Sequence, residues 1–397
     1  MEVLVCLTLW LFAGLLAIPV TVLCLEIVLG VLGPPFPNVT RNTSHPRVAV
    51  LVPAHNESTG IIPTLEDVKA QLRPNDRLLV VADNCSDDTA AVSRSLGVEV
   101  VHRHDNDRIG KGYALDYGLR HLGGDPPDIV VMIDADCRLE ECAIDRLASA
   151  CSATGRPAQA CYLMTTPNES QHANQVAEFA WRVKNWVRPL GLGRIGLPCQ
   201  FVGTGMAVPW HLIRGVDVAS GWLVEDLKLG LDLAAAGYAP LFCPSARVTS
   251  QFAQTAEGAD SQRKRWEHGH IGIILKKAPQ LLWAAVAGGN LDLVVLVFDL
   301  AVPPLSLLAM FLAAVSAISI IAALVGLCSS PMIVSMICLL GFTAALVFAW
   351  SRYGRDILEP RKALLMPFYI LAKLGLYGEL LFGKVTTRWV RTDRTKS

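Results

Sequence analysis

The chain has 397 residues, of which 52% are hydrophobic, and its 35 basic residues balance its 35 acidic ones. A nucleic-acid-binding surface needs an excess of basic residues, so this composition argues against nucleic acid as a partner. The mean hydropathy of +0.40 is high for a soluble protein, and the apolar residues concentrate at the two ends of the chain. The 11 cysteines form no CxxC pair and no Cys/His cluster with zinc-ligand spacing, so the sequence predicts no zinc site.

The first apolar segment, Val3–Leu25, is uncharged and long enough to cross a bilayer. No Lys or Arg precedes it and no small-x-small cleavage site follows it, which favours a retained anchor over a cleaved signal peptide. We therefore predict an N-terminal transmembrane anchor over residues 1–40.

Two further apolar segments, Leu305–Leu324 and Met332–Trp350, predict a pair of transmembrane helices within residues 305–351. Basic residues follow the first and the last of the three predicted spans: Arg41, Arg47, Arg352, Arg355, Arg361 and Lys362. Under the positive-inside rule these flanks are cytoplasmic. The sequence thus predicts a multi-pass protein of the inner (plasma) membrane whose domain over residues 41–280 faces the cytoplasm.

Two other apolar segments each contain two charged residues and differ from the predicted spans. Leu291–Val302 lies within residues 281–304, and Leu364–Phe382 lies within residues 352–397, which also include a basic tail. Their composition favours helices in the membrane interface, in contact with membrane lipids, over helices that cross it.

The central segment alternates strand-like and helix-like sequences from residue 47 onwards. Four β-branched runs occur, and each is followed by polar residues: "RVAVLVPAHNE", "DRLLVVADNCSDDT", "VEVVHR" and "DIVVMIDAD". Helical spacing separates them, which is the pattern of a parallel sheet with crossover helices. We predict a Rossmann-like α/β domain.

Acidic residues follow three of these predicted strands. They are Glu57, Asp83, Asp134 and Asp136. Ligands of open α/β sheets bind at the carboxyl ends of the strands. Neither GxGxxG nor a P-loop follows the first predicted strand, so phosphates would have to be held through a metal ion.

Asp134 and Asp136 suit Mg²⁺ or Mn²⁺ bound by carboxylates together with substrate phosphates. Alone, such a pair is often a solvated turn or a helix cap. Asp83 strengthens the metal interpretation because its carboxylate can accept a hydrogen bond from a base or a ribose, and Lys111 adds a cation near the phosphates. Together these residues indicate a nucleoside diphosphate as ligand.

Further along the chain, Glu225 and Asp226 begin a predicted amphipathic helix. Acids in a first turn are favoured by the helix dipole, and Asp226 is equally suited to act as a general base. Spacing alone does not separate these interpretations. The glycine-rich "FVGTGMAVPW", with Gly203 and Thr204, predicts a turn that a substrate can approach closely.

The segment "SQRKRWEHGH" contains Gln262, Arg265 and Trp266. Basic residues before a membrane segment usually act as interfacial anchors. Arg265 is also suited to bidentate phosphate binding, and Trp266 offers a flat face for a sugar or a lipid.

Seven of these motifs occur in an order that resembles the family 2 glycosyltransferases, within them the membrane-embedded branch that includes cellulose, chitin and hyaluronan synthases. The motifs are "PAHNE" (53–57), "ADNCSDDT" (82–89), "GKGYAL" (110–115), "DAD" (134–136), "GTG" (203–205), "ED" (225–226) and "QRKRW" (262–266). The resemblance implies a GT-A fold and an inverting hexosyl transfer from a nucleotide sugar, with UDP as the expected nucleotide.

The resemblance also implies roles for individual residues. Asp226 would be the catalytic base, and Asp136 would ligate Mg²⁺ or Mn²⁺, with Asp134 between the metal and the ribose. Asp83 would bind the nucleobase and Lys111 the diphosphate. Gly203 and Thr204 would lie at the acceptor end, and Gln262, Arg265 and Trp266 would close the site. Glu57 and Glu225 would also bind substrate.

The processive synthases of this branch have more transmembrane helices than the three predicted spans. We therefore expect transfer to a lipid-linked or saccharide acceptor in bacterial exopolysaccharide or glycolipid biosynthesis, with polysaccharide-export proteins as candidate partners. A processive β-glycan synthase is the alternative within the same class. A non-catalytic nucleotide-binding subunit of a polysaccharide-synthesis complex is the alternative from a different class.

Overall fold

The structure, a computed structural model, describes residues 2–36, 45–166, 172–219, 221–222, 224–253, 255–363 and 366–373. The chain begins with a long apolar helix, after which strands and helices alternate. These elements are α1 (Glu2–Leu32), β1 (Val48–Ala54), α2 (Ile61–Lys69), β2 (Arg77–Asp83), α3 (Thr89–Ser95), β3 (Glu99–Arg103), α4 (Lys111–Leu122) and β4 (Ile129–Met132). The predicted fourfold alternation is confirmed.

The second half of the central segment has shorter strands and more helix. Its elements are β5 (Arg138–Leu139), α5 (Ala143–Thr154), β6 (Ala158–Thr165), α6 (His172–Arg182), a π-helical turn (Val183–Val187), α7 (Arg188–Arg194), β7 (Met206–Pro209), α8 (Trp210–Ile213), α9 (Glu225–Ala235) and β8 (Leu241–Gln251). The remaining helices are α10 (Ala256–Lys276), α11 (Ala278–Ala287), α12 (Leu291–Leu300), α13 (Leu305–Leu324), α14 (Ser330–Tyr353), α15 (Pro360–Ala363) and α16 (Met366–Ala372).

The eight strands form one mixed sheet in the order β3-β2-β1-β4-β7-β6-β8-β5. Strands β1 to β4 are parallel, as predicted, because each is joined to the next by a crossover helix. Strand β7 runs antiparallel to both β4 and β6. This arrangement confirms an α/β sheet of the GT-A type, and it brings the ends of β1, β2 and β4 to one edge.

Apolar side chains cover both faces of the sheet. One core packs β1, β2 and β4 against α2 and α5, with Val50, Leu65 and Ile144 among its buried members. The other packs the opposite face against α4 and α9, with Leu51 and Leu115 fully buried. Burial on both faces explains why the parallel strands read as continuous apolar runs.

Three helices of the described ranges are long and apolar enough to cross a membrane: α1, α13 and α14. They pack together with α6 and the π-helical turn around Leu23, Leu312 and Phe342. Helix α1 extends to Leu32, beyond the predicted end at Leu25, because the apolar sequence continues past Glu26.

Helix α1 is joined to the sheet domain by a buried ion cluster. The guanidinium of Arg188 in α7 bonds the carboxylates of Glu26 in α1 and Asp299 in α12. Gly191 lets the two helices approach closely, since a Cβ there would lie 2.1 Å from the carbonyl oxygen of Glu26. The charge of Glu26 within an apolar helix is thus explained by a partner that is distant in the sequence.

The predicted interfacial segments are described in part. Helix α12 has 10 residues, about 15 Å, which is shorter than a bilayer core. Of the second segment, α16 (Met366–Ala372) is described, whereas residues 364–365 and 374–382 lie outside the described ranges, as does Arg41. The interfacial placement and the domain boundaries stay predictions.

Candidate active site

The loop after β4 carries the acid pair. Cys137 donates its backbone N–H to the carbonyl oxygen of Asp134 (3.2 Å), which closes a turn over residues 134–137. The buried hydroxyl of Thr64 in α2 lies 2.8 Å from the carbonyl oxygen of Ala135 and 2.7 Å from that of Cys137. The carboxylates of Asp134 and Asp136 therefore lie on a turn that Thr64 holds in place, at the edge of the sheet where the sequence predicts a ligand.

Lys111, the first residue of α4, lies at the centre of the charged groups. Its ammonium nitrogen is 2.5 Å from Asp134 Oδ1 and 3.7 Å from Glu225 Oε1. It also donates to the carbonyl oxygen of Gly203 (2.5 Å). Burial would lower the pKa of Lys111, but the two carboxylates outweigh it and raise that pKa above its ordinary value.

Glu225 and Asp226 begin α9 and face this lysine. Burial raises the pKa of Glu225 to about 7, although Lys111 opposes the shift. Burial also raises the pKa of Asp226, opposed first by Lys111. A carboxylate whose basicity is increased in this way is better matched to accepting a proton near neutral pH.

The glycine-rich loop before β7 contacts both the turn after β4 and the start of α9. Thr204 is fully buried, and its hydroxyl accepts the backbone N–H of Asp134 (3.0 Å). Gln159 in β6 donates to the Thr204 carbonyl oxygen (2.9 Å). At Gly203, where φ is +94°, a Cβ would lie 3.6 Å from Asp226 Oδ2, so this glycine borders the proposed base.

Asp83 ends β2 and is held by Arg103 at the end of β3, with Nη1 2.6 Å from Oδ1. Arg103 also bonds Asp105 Oδ2 at 3.0 Å. Burial raises the pKa of Asp83, while Arg103 acts in the opposite direction. The carbonyl oxygen of Asp83 contacts His55 Nδ1 at 2.7 Å, which links the strand end to the loop after β1.

Glu57 lies in that loop, where its backbone N–H donates to the hydroxyl of Thr89 (2.8 Å). The predicted cluster of Glu57, Asp83 and Asp134 thus follows from the ends of three adjacent strands, β1, β2 and β4.

Helix α10 supplies the last three predicted residues. Burial lowers the pKa of Arg265, and the negative charges of Glu225, Asp134 and Asp226 oppose that shift. Gln262 is 2% exposed, and its buried Oε1 accepts no hydrogen bond from the described residues. Trp266 packs on Trp181 of α6, with ring centroids 4.7 Å apart.

The donors at this edge fit a hard divalent cation. The turn after β4 offers carboxylates at Asp134 and Asp136, the oxygen ligands that Mg²⁺ and Mn²⁺ prefer. The described residues contain no group of three or more His, Cys, Asp or Glu placed to hold a metal. Mg²⁺ usually takes one or two carboxylates from the protein and its remaining ligands from phosphate oxygens and water.

Sequence reasoning missed three residues that shape the site. Arg103 and Gln159 hold Asp83 and the glycine-rich loop, and only their position on neighbouring strands identifies them. Lys184 lies in the π-helical turn, and its charge acts on Asp226. Its sequence signal was available, since "WRVKNWVRP" places a lysine between two tryptophans.

The model of the family described as Glycosyltransferase like family 2 matches residues 45–269, which is 225 of the 397 residues. The chain belongs to this family. The matched range contains every residue predicted for the site, from Glu57 to Trp266. The predicted family is thus confirmed, while the narrower resemblance to the cellulose, chitin and hyaluronan synthase branch stays a prediction.

Individual relatives match parts of the chain. The probable glycosyltransferase YdaM of Bacillus subtilis (strain 168) is 27% identical over 258 residues, which is 58% of this chain and 57% of YdaM. The 4,4'-diaponeurosporenoate glycosyltransferase of Staphylococcus aureus (strain MRSA252) is 33% identical over 100 residues, 24% of this chain and 26% of the relative. The chain therefore spans just over half of one relative and a quarter of the other.

Two solved structures have a distant likeness to this chain. The mannosyltransferase PcManGT from Pyrobaculum calidifontis, in complex with GDP-Man and Mn²⁺, is 20% identical with a TM-score of 0.49, covering 85% of this chain and 99% of its own. The glucosyl-3-phosphoglycerate synthase of Mycobacterium tuberculosis, with Mn²⁺, UDP and phosphoglyceric acid, is 21% identical with a TM-score of 0.40, covering 56% and 76%.

Proposed function

We propose that the protein is a membrane glycosyltransferase that moves a hexosyl group, with inversion, from a nucleotide sugar to a lipid-linked or saccharide acceptor. The observation that carries the proposal is the convergence of Lys111, Asp134, Glu225 and Asp226 at the carboxyl edge of the sheet. A buried carboxylate of raised pKa beside a cation and an acid pair is the combination that glycosyl transfer to a hydroxyl requires.

In this proposal the donor binds along the edge formed by β1, β2 and β4. Asp83, held by Arg103, accepts a hydrogen bond from the base, and UDP is the nucleotide we expect. Asp136 and Asp134 would hold Mg²⁺ or Mn²⁺, which when bound neutralises charge on the departing diphosphate. Lys111 and Arg265 are the cations available to the phosphates.

Asp226 takes the proton from the attacking acceptor hydroxyl. Burial raises the pKa of its carboxyl, which strengthens it as a base. Its neighbour Gly203 leaves the space above the carboxylate open, and an acceptor can approach there because no side chain projects from that position. The anomeric carbon is then attacked from the face opposite the diphosphate, which inverts its configuration.

The membrane placement rests on α1, α13 and α14 as three spans. Basic residues follow the first and last of them, which orients the sheet domain toward the cytoplasm at the inner (plasma) membrane. This orientation gives the enzyme access to cytoplasmic nucleotide sugars and to acceptors at the bilayer surface, as exopolysaccharide or glycolipid biosynthesis requires.

Release of nucleoside diphosphate tests this proposal. The purified full-length protein is given UDP- and GDP-sugars with Mg²⁺ or Mn²⁺ and membrane-derived acceptors. We expect metal-dependent release, an inverted anomeric product, and a loss of at least about 100-fold in Asp226→Asn. The matched control is Asp232→Asn, which removes an acid from the solvent side of the same helix and should leave release unchanged.

The same assay separates the alternatives. A ladder of products on a gel identifies a processive β-glycan synthase, whereas a single addition supports the proposal. Nucleotide binding without turnover across the panel, or release that persists in Asp226→Asn, would contradict the proposed activity or the role of that residue.

A further inference from the structure

A cavity of about 160 Å³ lies where the sheet domain meets the membrane helices. Its walls come from α6 and the π-helical turn, α10, the link between α12 and α13, α14 and α16. Most of its lining is apolar, including Phe179, Phe342 and Leu346. Two predicted spans, α13 and α14, contribute residues to its walls, which places the cavity within reach of lipid chains.

Two of the cations that line this cavity have acidic partners. Arg188 bonds Glu26 and Asp299, and Lys373 of α16 bonds Glu267 of α10 at 2.8 Å. Lys184 also lines the cavity, but within the described ranges no hydrogen bond or ion pair reaches its ammonium group.

The position of Lys184 in the chain is unusual. It belongs to the π-helical turn between α6 and α7, a local widening of a helix that recurs at functional sites. Burial and the neighbouring Arg188 lower the pKa of Lys184. Lys184 is half-buried. A partly desolvated cation without a close partner is unfavourable, and an anion beside it relieves that cost.

Aromatic side chains join this cavity to the acids of the sheet. Trp181 and Trp266 line the cavity, and Trp181 packs edge-on against Tyr162 with centroids 5.5 Å apart. Burial raises the pKa of Tyr162, and the nearby charges of Asp134 and Asp226 add to the shift. The charge of Lys184 also acts on the carboxyl of Asp226, whose pKa it lowers slightly against the effect of burial.

We infer that the cavity binds the acceptor as an amphiphile, with its apolar chain against α14 and α16 and an anionic group, carboxylate or phosphate, paired with Lys184. The identification of this ligand as the acceptor rests on the proposed function, whereas the binding site itself rests on the cavity and the unpaired cation. Such a ligand satisfies both features at once: its chain contacts the apolar lining, and its anion pairs with the ammonium of Lys184.

Competition photolabelling of the purified full-length protein, in a neutral maltoside detergent and without nucleotide sugar, tests the inference. The probe is hexadecanoate carrying a diazirine, and the competitors are hexadecanoate, hexadecyl phosphate and hexadecanol at equal mole fraction. We expect labelled peptides from residues 176–188 and 263–270. The anions should compete about tenfold better than the alcohol, as a charge-assisted hydrogen bond provides, and the stronger anion identifies the head group.

Three variants separate a specific site from a general affinity for anions. In Lys184→Met the anions should compete for labelling no better than the alcohol, whereas in Lys184→Arg they should again compete better than the alcohol. The matched control, Lys276→Met, removes an exposed cation from α10 and should change nothing. Equal competition by anion and alcohol in the native protein, or an anion advantage that survives Lys184→Met in a protein with native thermal stability, overturns the inference.

This test is independent of turnover. If the protein releases diphosphate but the anions compete no better than the alcohol, the proposed function is supported and the amphiphile site is refuted. An anion advantage in a protein that transfers no sugar supports the binding site and refutes the proposed function.

Discussion

The ammonium nitrogen of Lys111 lies 2.5 Å from Asp134 Oδ1, and this ion pair joins the start of α4 to the turn after β4. The same nitrogen donates to the carbonyl oxygen of Gly203 and lies 3.7 Å from Glu225. One lysine thus contacts three separate segments of the site: the turn after β4, the loop before β7 and the start of α9.

Removing this lysine should cost both stability and activity. Lys111→Met leaves the acids of the site without their central cation, and we expect a loss of about 1–3 kcal/mol in the free energy of unfolding. Chemical denaturation followed by tryptophan fluorescence measures it. Lys228→Met is the matched control, because it breaks an i,i+4 pair with Asp232 on α9 that should contribute about 0.5 kcal/mol or less. Equal losses in the two variants would contradict the central role of Lys111.

The two glycines of the loop before β7 should respond differently to alanine. Both have positive φ, +94° at Gly203 and +67° at Gly205, which costs an L-residue about 1–2 kcal/mol. At Gly205 an added Cβ would also lie 2.6 Å from the Cβ of Ala160, which is fixed to the backbone of β6. Gly205→Ala should therefore lower the free energy of unfolding by about 1–3 kcal/mol more than Gly203→Ala does. Thermal unfolding compares them, and an equal loss would show that the loop moves to accommodate the methyl group.

The sequence predicted the strand ends well because alternation of apolar strands and helices is a local pattern. Asp134 and Asp226 could be named from it, since each lies at the boundary of an element. The partners of these acids were not predictable: Arg103 meets Asp83 only through the pairing of β2 with β3. Lys184 gained its place from the packing of α6 against membrane helices far along the chain, and periodicity contains no information about such contacts.

The two acids of the turn after β4 should differ in their effect on activity. Asp136→Ala removes the proposed metal ligand, so we expect a loss of several kcal/mol of transition-state stabilisation, about 100-fold or more in turnover. Asp134→Asn keeps the shape of the side chain and the backbone bond to Thr204, and should cost less. Diphosphate release titrated with Mn²⁺ measures both. A greater loss in Asp134→Asn would assign the metal to that residue instead.

The carboxyl of Glu225 should make stability depend on pH. Burial raises its pKa from 4.5 to about 7 in the folded chain. Between these two values the folded state binds more protons than the unfolded state, so the free energy of unfolding falls as pH rises. The stabilisation is complete below about pH 4.5 and is lost as pH rises through about 7.

Glu225→Gln has no charge to bury at any pH and isolates this effect. Its melting temperature should match the native protein near pH 5 and exceed it near pH 8 by about 2–4 °C for each kcal/mol recovered. Glu141→Gln, at an exposed position, is the matched control and should follow the native curve throughout. Because Glu225 lies 3.7 Å from Lys111, the ion pair offsets part of the cost of ionisation. A lower melting temperature of Glu225→Gln at pH 8 would therefore mean that the pairing with Lys111 outweighs the burial of the charge.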